Sequence, residues 1–93
     1  MKDKSEKAIT AEIRKYLKSR DDVWFFKVHG GPMQQAGVPD ILVCKAGRFY
    51  AFEVKTRTGK TTVLQDRTIL LINEAGGVAE VVRSVGDVQR ILE

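Results

Sequence analysis

Three side chains in this sequence have the types and spacing for chemistry on a phosphodiester. Asp40 follows Pro39, twelve residues intervene, and then come Glu53, Val54 and Lys55. Successive side chains on a strand point to opposite faces, so a strand here puts Glu53 and Lys55 on one side and Phe52 and Val54 on the other. A hairpin with the strand that Asp40 opens brings Asp40 near Glu53. Two carboxylates at one spot repel unless a cation sits between them. Hard oxygen ligands of this kind suit magnesium or manganese. The ammonium of Lys55 can then orient water or steady charge on a phosphate. Taken singly, a Glu-x-Lys pair is ordinary solvated surface and an Asp after Pro an ordinary turn residue. Their combination in apolar surroundings, residues 41–44 and 49–54, argues for a site.

The elements that must position these groups are readable in outline. Ser5 followed by Ala8, Ile9, Ile13, Tyr16 and Leu17 has helical spacing, with Ser5 as N-cap and an end near Arg20. Residues 23–28 are aromatic and β-branched and read as a strand. His29 and the Gly30-Gly31-Pro32 run break the chain, and 33–37 form a polar loop. Residues 39–44 and 48–55 are the next two strands, joined by a turn at Ala46-Gly47. Thr61 or Thr62 caps a second helix that Gly76-Gly77 stops. A fourth strand over 78–83 and a short helix over 85–92 complete the order α-β-β-β-α-β-α. The expected class is α/β, a mixed sheet flanked by helices.

Residues 1–93 read as one domain, near the lower limit of size for comfortable independent stability. Association into a homodimer would help, and it is the commonest symmetric assembly. With 43% hydrophobic and 30% charged residues the chain reads as globular. Sixteen Lys and Arg against twelve Asp and Glu give a net charge of +4, a modest bias toward a polyanion. The single cysteine, Cys44, excludes an internal disulfide and a cysteine zinc cluster, and its apolar run marks it as a core residue. No apolar stretch is long enough for a bilayer and the charged N-terminus lacks a signal sequence, so no membrane partner and a cytoplasmic location are expected.

Gly37-Val38-Pro39-Asp40, Glu53-Val54-Lys55 and the downstream Gln65 resemble the PD-(D/E)XK nuclease superfamily, and more closely its virus-type replication-repair nuclease domain, VRR-NUC. The resemblance runs from Ser5 to Val88. It implies a restriction-endonuclease-like core and structure-selective DNA cleavage with Mg2+ or Mn2+. Stand-alone members resemble Holliday-junction resolvases and act as dimers, which implies a four-way-junction endonuclease in a bacterial or virus-infected host cell. The alternatives are a nicking or flap nuclease subunit of a phage or plasmid replication or repair machine, and a non-catalytic DNA-binding module. The resemblance further implies metal ligation by Asp40, Glu53 and the Val54 carbonyl, and assistance from Gln65, whose other reading is an exposed polar residue. It also places a glutamate of the first helix near the metal, either Glu6 or Glu12. Ile9, Ile13 and Leu17 lie within about 60° of Glu6 on the helical wheel, which favours Glu6 over Glu12. The family's Val-Arg-Arg signature is matched only in part, by Val82-Arg83-Ser84.

Further contacts to DNA are expected from Arg57, Lys60 and Thr61 in the basic, hydroxyl-rich loop after Lys55. His29 in its glycine turn either meets phosphate or is a partly exposed turn residue. Arg83 either binds phosphate or braces the site. Lys7, Arg14, Lys15 and Lys18 form a basic outer face of the first helix, an arrangement that usually serves solvation. Gly59-Lys60-Thr61 looks like the end of a nucleotide-binding loop, but the glycine it needs earlier is absent, so no nucleotide cofactor is expected.

Overall fold

The computed structural model describes residues 3–30 and 36–93. Helix α1 (Glu6–Lys18) begins where the Ser5 hydroxyl accepts the Ala8 N–H. Strands β1 (Val23–Lys27), β2 (Ile41–Lys45) and β3 (Arg48–Val54) follow, then α2 (Val63–Glu74), β4 (Val78–Val82) and α3 (Val85–Leu92). The order is the one the sequence predicts. Gly31 to Gln35, which carry most of the expected polar loop, lie outside the described residues.

The sheet runs β1-β2-β3-β4, antiparallel except for the parallel β3–β4 pair. Ala46 and Gly47 both take positive φ, 52° and 77°, as the two-residue turn of a tight hairpin requires. That turn sets the β2–β3 register, with Lys45 opposite Arg48 and Ile41 opposite Phe52. One face of the sheet presents Ile41, Val43, Tyr50, Phe52, Val54 and Val82 to Ile9, Ile13 and Leu17 of α1 and to Val88 and Leu92 of α3. Each covering helix contributes one apolar stripe, and the core lies in this layer.

The opposite face is only partly covered. Helix α2 packs on the β3–β4 side and has no fully buried residue. Polar contacts hold it instead. The Asn73 amide donates to the Ala79 carbonyl at 3.0 Å and accepts the Ala79 N–H at 2.8 Å. Over β1 and β2 no helix among the described residues covers this face, which corrects the expectation for Cys44. The pleat turns Cys44 away from the α1 layer, and it is exposed between Trp24 and Phe49, its cross-strand partners.

Candidate active site

Asp40 is delivered by a tightly packed segment. Gly37 has φ +87°, and a Cβ there would lie 2.6 Å from the Leu64 carbonyl oxygen. Only glycine lets the chain pass this close to the first turn of α2. Pro39 is fully buried next to Asp40. One step beyond the Ile41–Phe52 pair, Asp40 stands across from Glu53, and its Oδ2 accepts the Val54 N–H at 2.8 Å. That bond fixes the Asp40 carboxylate over the end of β3.

Glu53 is 3% exposed and Lys55 9%. Both point to the α2 side of the sheet, as their spacing predicts. The Lys55 Nζ is 3.7 Å from Glu53 Oε2, an ion pair just beyond hydrogen-bond length. Gln65 donates from Nε2 to the same Oε2 at 3.2 Å. Its Oε1 accepts the Thr62 N–H at 2.9 Å, while the Thr62 hydroxyl accepts the Gln65 N–H at 3.2 Å. This reciprocal capping box makes Thr62 the N-cap of α2, so the helix start and the grip on Glu53 share one amide.

The other oxygen of Glu53, Oε1, is buried with no hydrogen-bond partner among the described residues. Burial pushes the Glu53 carboxyl up to about 8; the nearby Asp40 carboxylate and its charge push in the same direction, Lys55 opposes them, and Glu6 adds a small further rise. An orphaned, desolvated carboxylate oxygen facing a second carboxylate is the donor set of a hard divalent cation. Asp40 and Glu53 fit that group. Among the described residues no three His, Cys, Asp or Glu side chains gather as a ready-made cage, so further ligands would be a backbone carbonyl, solvent or substrate.

Glu6 and Asp40 line the same hollow, whereas Glu12 pairs with Lys4 at 2.8 Å and lines another. Glu6 is itself exposed, because the first turn of α1 overhangs the core that Ile9, Ile13 and Leu17 fill. His29 also lines the hollow beside Asp40, edge-on to Phe26 with ring centroids 6.3 Å apart.

The basic loop after Lys55 stands on the other flank of α1. Arg57 pairs with Asp3 at 3.0 Å, Lys60 is exposed, and the Thr61 hydroxyl donates to Asp66 at 2.5 Å. Arg83 takes the bracing alternative. Its Nη1 donates to the carbonyls of Thr56 at 2.6 Å and Gly59 at 2.8 Å, with Arg57 at 3.4 Å. The orphaned Nε of Arg14, withdrawn from water without an acceptor, is the feature that sequence reasoning passed over. Only its place in a run of basic residues could have marked it.

The architecture is that of the restriction-endonuclease-like α/β class, with the mixed sheet and three flanking helices that class requires. A solved structure described as a VRR_NUC domain has the same fold: the TM-score is 0.76 over 95% of each chain, with 20% identity. No protein-family model and no curated protein matches the sequence.

Proposed function

We propose that this chain is a metal-dependent, structure-selective DNA endonuclease that hydrolyses phosphodiester bonds in branched DNA, four-way junctions foremost, as a homodimer acting in the cytoplasm. The observation that carries the reading is half-buried Asp40 facing buried Glu53, with Lys55 beside them, set in a fold shared with a VRR_NUC domain.

Asp40, Glu53 through Oε1 and the Val54 carbonyl would hold Mg2+ or Mn2+, with Glu6, in the hollow that Asp40 lines, reaching the ion through water. Such an ion supplies charge neutralisation at phosphate and eases the deprotonation of water. The remaining work falls to this chain's own groups. The Val54 N–H aims Asp40. Gln65 and Lys55 both engage Glu53 Oε2, which leaves Oε1 for the cation. The Lys55 ammonium, held by a buried carboxylate, orients the attacking water and steadies charge on a phosphate oxygen. Arg83 fixes the loop that carries Arg57, Lys60 and Thr61 toward the DNA backbone.

The bare sheet face supports the homodimer. Trp24, Phe26 and Phe49 are 63%, 44% and 42% exposed. At ~150–250 Å² per aromatic side chain they leave roughly 300 Å² of ring surface in water. Leu64 and Leu71 of α2, each about half exposed, add to it. A standard interface covers about 800 Å² per partner, and a second copy presenting the same face doubles the match without any new sequence. Strand β1, an edge of the sheet, offers backbone at the rim of the same patch.

The test is a panel of four-way, flap, bubble and linear DNAs incubated with each metal. Junction cleavage is expected from the wild type, and none from Asp40→Ala or Lys55→Ala proteins that retain the wild-type circular dichroism. Junction binding without cutting under either ion would overturn the enzyme reading.

A further inference from the structure

Basic side chains on the two flanks of α1 are treated differently. On one flank most are engaged: Lys4 pairs with Glu12, Arg57 with Asp3, and Arg83 lies on loop carbonyls, leaving Lys60 exposed. On the other flank Lys7, Arg14, Lys15 and Lys18 are paired with no carboxylate among the described residues. Lys7, Arg14 and Lys18 recur at helical spacing and share one stripe, about 16 Å long at 1.5 Å per residue.

This stripe borders concave surface. A hollow of about 410 Å³ is lined by Lys7, Arg14, Lys27 and His29 together with Glu6 and Asp40. A second, of about 310 Å³, is lined by Ala11, Arg14, Lys15 and Lys18. The two meet at Ala11 and Arg14. At that junction the Arg14 Nε has no acceptor among the described residues. An unsatisfied donor on a charged group is costly, and a phosphate gripped in a fork by Nε and one Nη removes the cost once the guanidinium turns outward.

We propose that these joined hollows are a phosphate track, which holds one DNA strand from Asp40 along α1 to Lys18 with Arg14 as its central anchor. The track rests on the phosphodiester-cleaving reading of the acid site and extends it by assigning the flank along which substrate lies. At 3.4 Å of axial rise per nucleotide the stripe spans about five nucleotides. Lys27 and His29 stand at the catalytic end. The Lys27 ammonium donates to the Val28 carbonyl at 2.6 Å, and the Val28 N–H bonds the Asp40 carbonyl at 2.8 Å. The end of the track is thereby tied to the backbone of the acid itself.

The experiment measures anisotropy of a fluorescein-labelled 20-base-pair duplex and a four-way junction in EDTA, across a salt series, with the full chain. Each phosphate contact contributes about 0.9 to the slope of log K against log salt on duplex DNA. The Lys7→Ala/Arg14→Met/Lys18→Ala protein is expected to lose about 2.7 from that slope, and Arg14→Met alone roughly one contact. Methionine keeps the aliphatic stem, and matching thermal melts exclude misfolding. A Lys4→Ala/Arg90→Ala protein, whose lost charges are those paired with Glu12 and Asp87, is expected to keep the wild-type slope. An unchanged slope in the triple variant, or no salt-dependent binding by the wild type, overturns the track. Because binding is read without metal, the two readings fail separately. Cleavage lost in Asp40→Ala beside an unchanged slope in the triple variant removes only the track. A wild type that binds through these residues but never cuts removes only the nuclease.

Discussion

If the acid site takes a divalent cation as proposed, the state of Glu53 makes that binding a proton-releasing event. With its carboxyl raised to about 8, only about one tenth of the metal-free protein carries an ionised Glu53 at pH 7. A divalent cation needs the ionised form, so binding at pH 7 is expected to expel ~0.9 of a proton. The ionised fraction climbs from about 1% at pH 6 to about half at pH 8, so apparent affinity is expected to rise about 50-fold over that range. Titration calorimetry with Mn2+ at pH 7, in two buffers of different protonation enthalpy, counts the protons directly. Repeating it at pH 6 and 8 gives the affinity ratio. Asp40 is a cause of the high value and, on the proposed reading, a ligand, so Asp40→Asn is expected to weaken binding while also flattening its pH dependence. An affinity independent of pH between 6 and 8, with the same heat in both buffers, would refute the reasoning, because it would mean that Glu53 is already ionised beside Asp40.

The same group gives the metal-free protein a pH-dependent stability. A carboxyl whose folded value is about 8 and whose ordinary value is 4.5 leaves stability intact below about 4.5 and erodes it as pH rises toward 8, because only the unfolded chain ionises freely there. Glu53→Gln is therefore expected to raise the melting temperature in EDTA at pH 8 and change it little at pH 4.5, seen by calorimetric scans. Gly37→Ala meets both the positive φ and the Leu64 carbonyl and is expected to cost about 2 kcal/mol or more, measured by urea unfolding. Gln65→Glu preserves the capping box but sets a second negative charge on Glu53; helix stability should hold within about 1 kcal/mol while cleavage falls at least tenfold. Trp24→Glu/Phe26→Lys is expected to leave the fold intact and convert a sedimenting dimer to monomer; a dimer that survives would move the interface elsewhere.

The arrangement of the candidate site was legible because most of its geometry is local. Glu53 and Lys55 share a face by the pleat alone, and the Ala46-Gly47 turn sets which residue meets Asp40. The Thr62 cap and Gln65 are three residues apart and signal each other. Properties that depend on which face of the sheet a neighbour covers were not legible. Cys44 stands in an apolar run like a core residue, yet α2 stops short of it. Leu70 and Leu71 have the look of a buried helix face but stay more than half exposed. Arg57 reads as a phosphate contact and Arg83 as either a phosphate contact or a brace, and only tertiary geometry shows Arg83 bound to loop carbonyls and Arg57 to Asp3. Arg14 reads as solvated charge until its buried Nε is seen.

The β2–β3 hairpin carries a rule of parity. Five residues separate Asp40 from the turn and five separate the turn from Glu53. Removing or adding one residue on a single arm turns an acid to the wrong side. Trimming or extending both arms together leaves the acids facing each other and changes only how far the turn projects. Chains built on this plan should therefore tolerate ten or fourteen residues between aspartate and glutamate about as readily as twelve, and reject eleven or thirteen unless a bulge restores the count.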